Sequence, residues 1–351
     1  MYTRLSLFVC MLCMLFLIAC NDDPVTSEKN YSDQLENIGN DVILRTYEEL
    51  NIKTQSLAST LAVLETNPTS QGLDASRQAW RDTRVPWEQS EGFLFGPVDQ
   101  QGIDPAIDSW PVNETDLDAV LNGSQPLTKS YIDGLDGTLK GFHTIEYLLF
   151  GVDGNKVVEN FTSRQFEYLS ACSESLLGAT QQLYDSWKPS GGNFIDNILL
   201  AGKAGQSVYP SQKSALQEIM TGMITIADEV ANGKINDPFS QQDVTLEESR
   251  FSANSKQDFA DNIRSIQNAY TGNYFNTDGT GISHIIHEKN ATLDTKVRQQ
   301  IDEAITAILA IDGTFTSAIF NAPQSVQDAQ MKVRDLQQTL EGEVLPIITA
   351  L

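Results

Sequence analysis

The run Gly141-Phe142-His143-Thr144-Ile145-Glu146-Tyr147-Leu148-Leu149-Phe150-Gly151 holds the residues best suited to chemistry. On a helix, His143 and Glu146 project from the same face, because residues three apart are neighbours there. An imidazole and a carboxylate so arranged suit two ligands of one cation, as in bundles whose carboxylate and His ligands sit three apart and point inward. Phe142, Ile145, Tyr147, Leu148 and Leu149 make this helix apolar nearly all round, so it belongs in the interior. A charge buried there requires a partner or a metal. A buried pair satisfied by hydrogen bonds alone is the plainer alternative. Zinc peptidases need more, namely two His on one helix with a Glu base. Here Tyr147 follows Glu146 and the second His is missing. His284 and His287, again three apart, could form another ligand face, although such a pair at a helix end commonly has one ring buried and one solvated.

Two further stretches carry acids at useful spacing. In Trp80 to Pro97, Glu88 and Glu91 share a helical face and Arg84 lies one turn before Glu88. These are candidate ligands, with an intrahelical ion pair on a solvated face as the blander reading. Asp104 and Asp108 lie four apart at a helix start, where capping accounts for Asp104 because Pro105 suits the first helical position. Trp80, Trp87, Phe93 and Phe95 read as core. Cys172, within Ser170-Ala171-Cys172-Ser173, reads as a small residue on a buried helix face rather than a nucleophile.

The elements that must position these residues are helical. Leu35, Ile38, Val42, Tyr47, Leu50, Leu57, Leu61 and Leu64 recur at three- and four-residue steps, which predicts a long amphipathic helix over 32–65. A second helix is expected over 71–95, kinked or broken near Pro86. Residues 96–139 are rich in Gly, Pro, Asn and Asp and read as loops with short helical turns, ordered because so long a structureless connection is uncommon. Helical patterns return at 139–150, 163–187, 193–200, 211–230, 252–270, 291–311 and 325–348, and no run alternates as a strand does. The fold class is therefore all-α, with two antiparallel helical bundles packed side by side, one over 32–204 and one over 205–351.

The chain has 351 residues, 23 Lys plus Arg, 47 Asp plus Glu and a formal net charge of −24. An acidic chain without a basic run excludes a nucleic-acid partner, which needs a basic face against phosphate. At its N-terminus, Arg4 precedes an apolar run from Leu5 to Ile18, short for a membrane span and right for a signal peptide over 1–19. Ala19-Cys20 then resembles a bacterial lipobox, so Cys20 is the expected lipidation site and membrane anchor, with 20–31 as a lipidated tether. This places the chain in a bacterial cell envelope, on the periplasmic or the surface side of the outer membrane.

The ordered blocks W-x6-WE-x2-E-x-F-x-FGP, ID-x3-DSWP and GFH-x2-EYLLFG, followed by Asp237-Pro238-Phe239-Ser240, Glu248-Ser249-Arg250-Phe251-Ser252, Asp258-Phe259, Asp261-Asn262-Ile263 and Tyr270-Thr271-Gly272, resemble the imelysin family of M75 peptidase-like, iron-regulated lipoproteins. The GxHxxE element of that family is intact from Gly141 to Glu146. The resemblance covers the chain from about residue 32 to its end. It implies a two-bundle helical fold, a GxHxxE helix near the interface of the halves, and a role linked to iron uptake. The expected function is binding of iron, zinc or another small ligand by His143 and Glu146, with Glu88, Glu91, Arg84, Asp104 and Asp108 as further candidates. A metal-dependent peptidase and a non-catalytic surface protein that binds other proteins are the alternatives.

Overall fold

The first helix follows from its apolar stripe. All eight stripe residues, from Leu35 to Leu64, are buried. The chain runs as an α-helix over Ser32–Asn37, passes through a π-helical stretch at Ile38–Leu44, and continues as Arg45–Thr66. Asn67 and Pro68 break it, and Thr69 caps the next helix, Ser70–Glu88, by accepting the Gly72 N–H at 3.0 Å. This helix stops seven residues before the expected end at Phe95. Pro86 sits in its last turn and removes the N–H that Asp82 would use, while the Ser90 hydroxyl donates to the Trp87 carbonyl at 2.6 Å and closes the end. Glu91 therefore stands on a separate 3-10 turn, Glu91–Phe93, and does not share a helix with Glu88.

The computed structural model describes residues 29–274 and 279–351; the expected signal peptide over 1–19, the expected lipidation site Cys20 and the expected tether up to residue 28 lie outside the described residues. Residues 96–139 are ordered, as expected, into short helices at Pro97–Gln100, Asp104–Ile107, Glu114–Leu121 and Lys129–Asp133. The GxHxxE helix is Gly141–Phe150, and every residue in it except Tyr147 is buried. The helix Ser163–Trp187 has the predicted bounds and holds Cys172 inside, where burial pushes the thiol up to about 12 and leaves it inert.

In the second half, Gln212–Asp228 is prolonged by a π-helical stretch at Glu229–Lys234. The expected helix over 252–270 starts instead at Ser255, because the backbone before it is left-handed at Ser249 and Ala253. Ala291–Leu309 and Pro323–Thr339 follow, the latter running through a π-helical stretch, Leu340–Val344, to Leu345–Thr349. Among the described residues no strand occurs, and no helix is long and apolar enough to cross a membrane.

Two sets of helices pack within one unit, Tyr31–Leu351. Arg45–Thr66 lies against Ser70–Glu88 and Ser163–Trp187, and the GxHxxE helix lies across the last two. Ala291–Leu309 packs between Ser255–Thr271 and Pro323–Thr339, with Gln212–Asp228 against the same pair. Ser255–Thr271 also touches Ser70–Glu88 and so joins the sets.

Gly141 opens the GxHxxE helix at φ +73°, and a Cβ there would sit 2.3 Å from the Ile107 carbonyl oxygen. Both the left-handed backbone and the contact demand glycine. Gly141→Ala should destabilise the protein by about 2–4 kcal/mol, read as a lower urea midpoint at unchanged slope. An unchanged midpoint would show that this entry turn is not fixed as described.

Candidate functional site

Trp80 anchors the Ser70–Glu88 helix, its ring N–H donating to the Phe142 carbonyl at 3.0 Å. One turn further on, Arg84 points into the interior and is fully buried. The solvated-face reading of Arg84 and Glu88 is thereby overturned, since both side chains have no exposed surface. The guanidinium meets four carboxylates. It pairs with Glu88 on its own helix, with Asp108 Oδ1 at 2.5 Å, with Glu248 Oε1 at 2.7 Å and with Asp258 Oδ1 at 3.4 Å. The faces of Trp80 and Phe142 flank it at 5.8 and 5.0 Å.

A second buried cation, Lys234, stands beside Arg84's acids. Its ammonium lies 2.8 Å from Glu91 Oε2, 3.1 Å from Glu248 Oε2 and 3.7 Å from Glu88 Oε2. Asn262 donates to both Glu88 Oε2 at 2.6 Å and Glu91 Oε2 at 3.0 Å, so the two acids converge although they sit on different elements.

His143 faces this cluster from the GxHxxE helix. Its Nδ1 is 3.0 Å from Glu146 Oε2, and its Nε2 is 3.0 Å from Asp108 Oδ1 and 3.9 Å from Glu248 Oε1. Nε2 is buried without an aligned hydrogen-bond partner. The other Glu146 oxygen accepts the Ser252 N–H at 2.8 Å. Glu146 thus touches the ring nitrogen remote from Asp108, which differs from the expectation of His143 and Glu146 as paired ligands. Trp87 donates to Asp108 Oδ2 at 2.5 Å. The half-buried Trp110 ring covers the cluster, 6.0 Å from the His143 ring and 5.3 Å from the Lys234 ammonium.

Charge crowding sets the proton affinities. Burial pushes Glu88 and Glu91 well above the usual carboxylate range, with neighbouring acids adding to it against the pull of Arg84 and Lys234. Burial, opposed by Arg84, leaves Asp258 at about 6. Burial would raise Asp108 as well, but Arg84 and His143 hold it well below the usual range. Burial alone would lower the His143 imidazole, yet Asp108 and Glu146 outweigh it and bring it up to about 9.

Asp104 does not cap its helix as expected; it is the first helical residue, makes no cap bond and lies partly buried. Burial, then Asp108, raises its carboxyl to about 7. His284 and His287 are both exposed and do not form a ligand pair. Gly281 N–H approaches His284 Nδ1 at 3.3 Å, and His287 Nδ1 lies 3.3 Å from Asp294.

Four site residues escaped the sequence reading of roles: Lys234, Glu248, Asp258 and Asn262. The last three fall within the blocks that carry the resemblance, but spacing alone gives them no partner in the first half. Lys234 did leave a trace, as the buried stripe Met223, Ile226, Ala227 and Val230 continues onto it, placing a charge where an apolar residue is due.

The all-helical fold and this buried His-and-acid cluster define a helical protein of one family. The imelysin (peptidase M75) family model matches residues 43–341, and the chain belongs to that family. It is similar to iron-regulated protein A of Synechococcus elongatus, with 29% identity over 313 residues, 88% of this chain and 84% of the relative. A crystal structure from Parabacteroides distasonis, of an iron-regulated protein A precursor, superposes with a TM-score of 0.81 at 28% identity and covers 92% of this chain and 97% of its own. An imelysin-like protein from Psychrobacter arcticum shares the fold at a TM-score of 0.72 and 13% identity, over 91% and 95% of the two chains.

The raised His143 value has a consequence for stability. A folded value of about 9 above an ordinary 6.5 means that the imidazolium stabilises the fold fully below pH 6.5, and that this contribution is lost as pH rises through 9. Asp104 and Asp258, at about 7 and about 6, have lost most of theirs by then. Metal-free protein should therefore lose on the order of 2–3 kcal/mol between pH 7 and 9.5, and His143→Gln should lose clearly less. Parallel pH profiles of the urea midpoint for the two proteins would refute the assigned partners of His143.

Proposed function

We propose that this chain is an iron-related protein of the bacterial envelope that binds one divalent transition-metal ion, iron or zinc, at Asp108, His143 and Glu248. The observation that carries the reading is His143 Nε2, a buried nitrogen that makes no aligned hydrogen bond and faces carboxylate oxygens of Asp108 at 3.0 Å and Glu248 at 3.9 Å. One donor atom from each of the three residues lies within 4.8 Å of the others. A single ion with bonds of about 2.0–2.2 Å spans such a group, and imidazole with carboxylate suits iron or zinc. Glu146 then acts from behind. It accepts the Nδ1–H of His143, fixes the ring and leaves Nε2 as the ligand atom. Gly141 lets the helix begin where this is possible.

Glu88, Glu91 and Asp258 hold protons more tightly than usual because they are buried and crowded by other acids, and an arriving divalent ion replaces those protons. His143 must also lose its proton to bind, so affinity rises with pH. The names of the relatives, iron-regulated protein A, favour iron as the physiological ion and iron uptake as the process. A peptidase needs an open metal position and a carboxylate free to take a proton from water. Here Arg84 and Lys234 engage Glu88, Glu91, Asp108 and Glu248, which favours binding over hydrolysis. Asp108 and His143 come from the 32–204 bundle, and Lys234, Glu248 and Asp258 from the 205–351 bundle, so the ion sits where the halves meet. Export and lipidation at Cys20 complete the reading.

Chain lacking residues 1–20 should retain one zinc or ferrous ion per molecule after desalting at pH 7.5. His143→Ala should abolish this retention, and Glu146→Gln should weaken it by about 10–100-fold. Elemental analysis and metal titration read both, and identical titrations of wild type and His143→Ala would end the metal assignment. Cys20→Ser should move the protein from the membrane fraction to the soluble envelope fraction; unchanged fractionation would remove the anchor.

A further inference from the structure

The loop that sends Glu248 into the buried cluster also lines, with Arg250, Phe251, Ser252 and Ala253, a separate cleft of about 600 Å³. In a chain of net charge −24, this cleft gathers three arginines, Arg77, Arg81 and Arg250, and Asp153 is the one acid lining it. The three are not equivalent. Arg77 is spent on structure, donating to the Leu149 and Lys156 carbonyls at the end of the GxHxxE helix, with Asp74 at 3.6 Å. Arg250 stacks on Phe251 at 4.2 Å and pairs with Glu114 at 2.5 Å.

Arg81 is different. Its guanidinium stacks over Phe150 at 4.7 Å, which fixes its plane, and makes one hydrogen bond, to the Ser252 carbonyl at 3.0 Å. Among the described residues no carboxylate lies within 4.0 Å of it, in contrast to Arg77, Arg84 and Arg250. Burial and the adjacent Arg77 weaken its hold on its proton, and the more distant Glu146 and Asp258 restore part of it. A half-buried, pre-oriented guanidinium with donors to spare can take an anion from the cleft.

We propose that this cleft binds a small organic carboxylate, with Arg81 as its principal anchor and Arg250 as its second. The planar fork of a fixed guanidinium matches a carboxylate through two parallel hydrogen bonds, and the Phe150 ring holds the Arg81 fork in place without competing for the anion, whereas Arg250, stacked on Phe251, shares its charge with Glu114 and so ranks second. The site shares no side chain with the metal reading and stands without it. The two regions meet at Ser252, whose carbonyl accepts from Arg81 and whose N–H donates to Glu146.

Calorimetric titration of the chain lacking residues 1–20 with succinate tests this, with succinamide as an uncharged equivalent and inorganic phosphate as a different oxyanion. Succinate should bind saturably, more weakly as salt rises, and succinamide should not bind. Arg81→Gln should weaken succinate at least tenfold, Arg81→Lys by a smaller factor, and His143→Ala should leave it unchanged, so that loss of metal binding and loss of anion binding separate. Thermal melts confirm that each variant is folded, and Arg81→Lys carries the comparison should Arg81→Gln not fold. Equal affinity of wild type and the Arg81 variants, equal binding of succinamide, phosphate binding in preference to succinate, or no saturation with succinate would each overturn the proposal.

Discussion

A guanidinium without exposed surface, Arg84, is held by Glu88, Asp108, Glu248 and Asp258, and the interior is arranged around that contact. Taking such a charge out of water costs several kcal/mol unless its donors are met by well-placed acids. The acids come from four places: its own helix, the end of a short helix in the 96–139 region, the loop before Ser255 and the helix Ser255–Thr271. Packing of apolar faces brings the two sets of helices together, but the fixed fork of Arg84 decides how their polar residues register. The Trp80 and Phe142 rings exclude water around it, which strengthens every pairing and makes any unmatched one more costly.

Acids exceed permanent cations at this centre. With Arg84 and Lys234 shared among Glu88, Glu91, Asp108, Glu248 and Asp258, burial and then mutual repulsion make Glu88, Glu91 and Asp258 titrate high, while Asp108, which meets both Arg84 and His143, titrates low. The same imbalance lifts His143. A buried group of carboxylates whose charge is met by exchangeable protons is chemically ready to accept a cation. The protein cations keep the acids from repelling one another while they wait, and they also draw lone pairs away from water activation.

The loop from Glu247 to Asn254 serves the buried cluster and the outer cleft at once. Ser249 and Ala253 adopt φ values of +51° and +56°, uncommon for residues with a side chain and costing on the order of 1–3 kcal/mol each. These two reversals turn Glu248 inward and aim the Ser252 N–H at Glu146 while leaving Arg250 on the outer cleft. The strain is held by the bonds from Ser255 to the Glu247 side chain and the Glu248 carbonyl.

Much of the fold was legible along the chain because helical periodicity is a local property. The stripe from Leu35 to Leu64 became the first helix, and Ser163–Trp187 has the expected bounds. The apolar setting of His143 and Glu146 foretold their burial. Boundaries moved where tertiary contacts overrode local pattern, as at Glu88 and Ser255. The pairing of acids was illegible for a physical reason: Glu248 and Asp258 lie 164 and 174 residues from Arg84, and no spacing rule reaches that far. The sequence by itself thus determined which segments are helical, which faces turn inward and that a His and a Glu share a turn. Only the tertiary structure decided that Glu146 stands behind the imidazole, that Asp108 and Glu248 stand before it, and that Arg84 and Lys234 neutralise the gathered charge, because charge compensation depends on distances in space between elements remote in the chain.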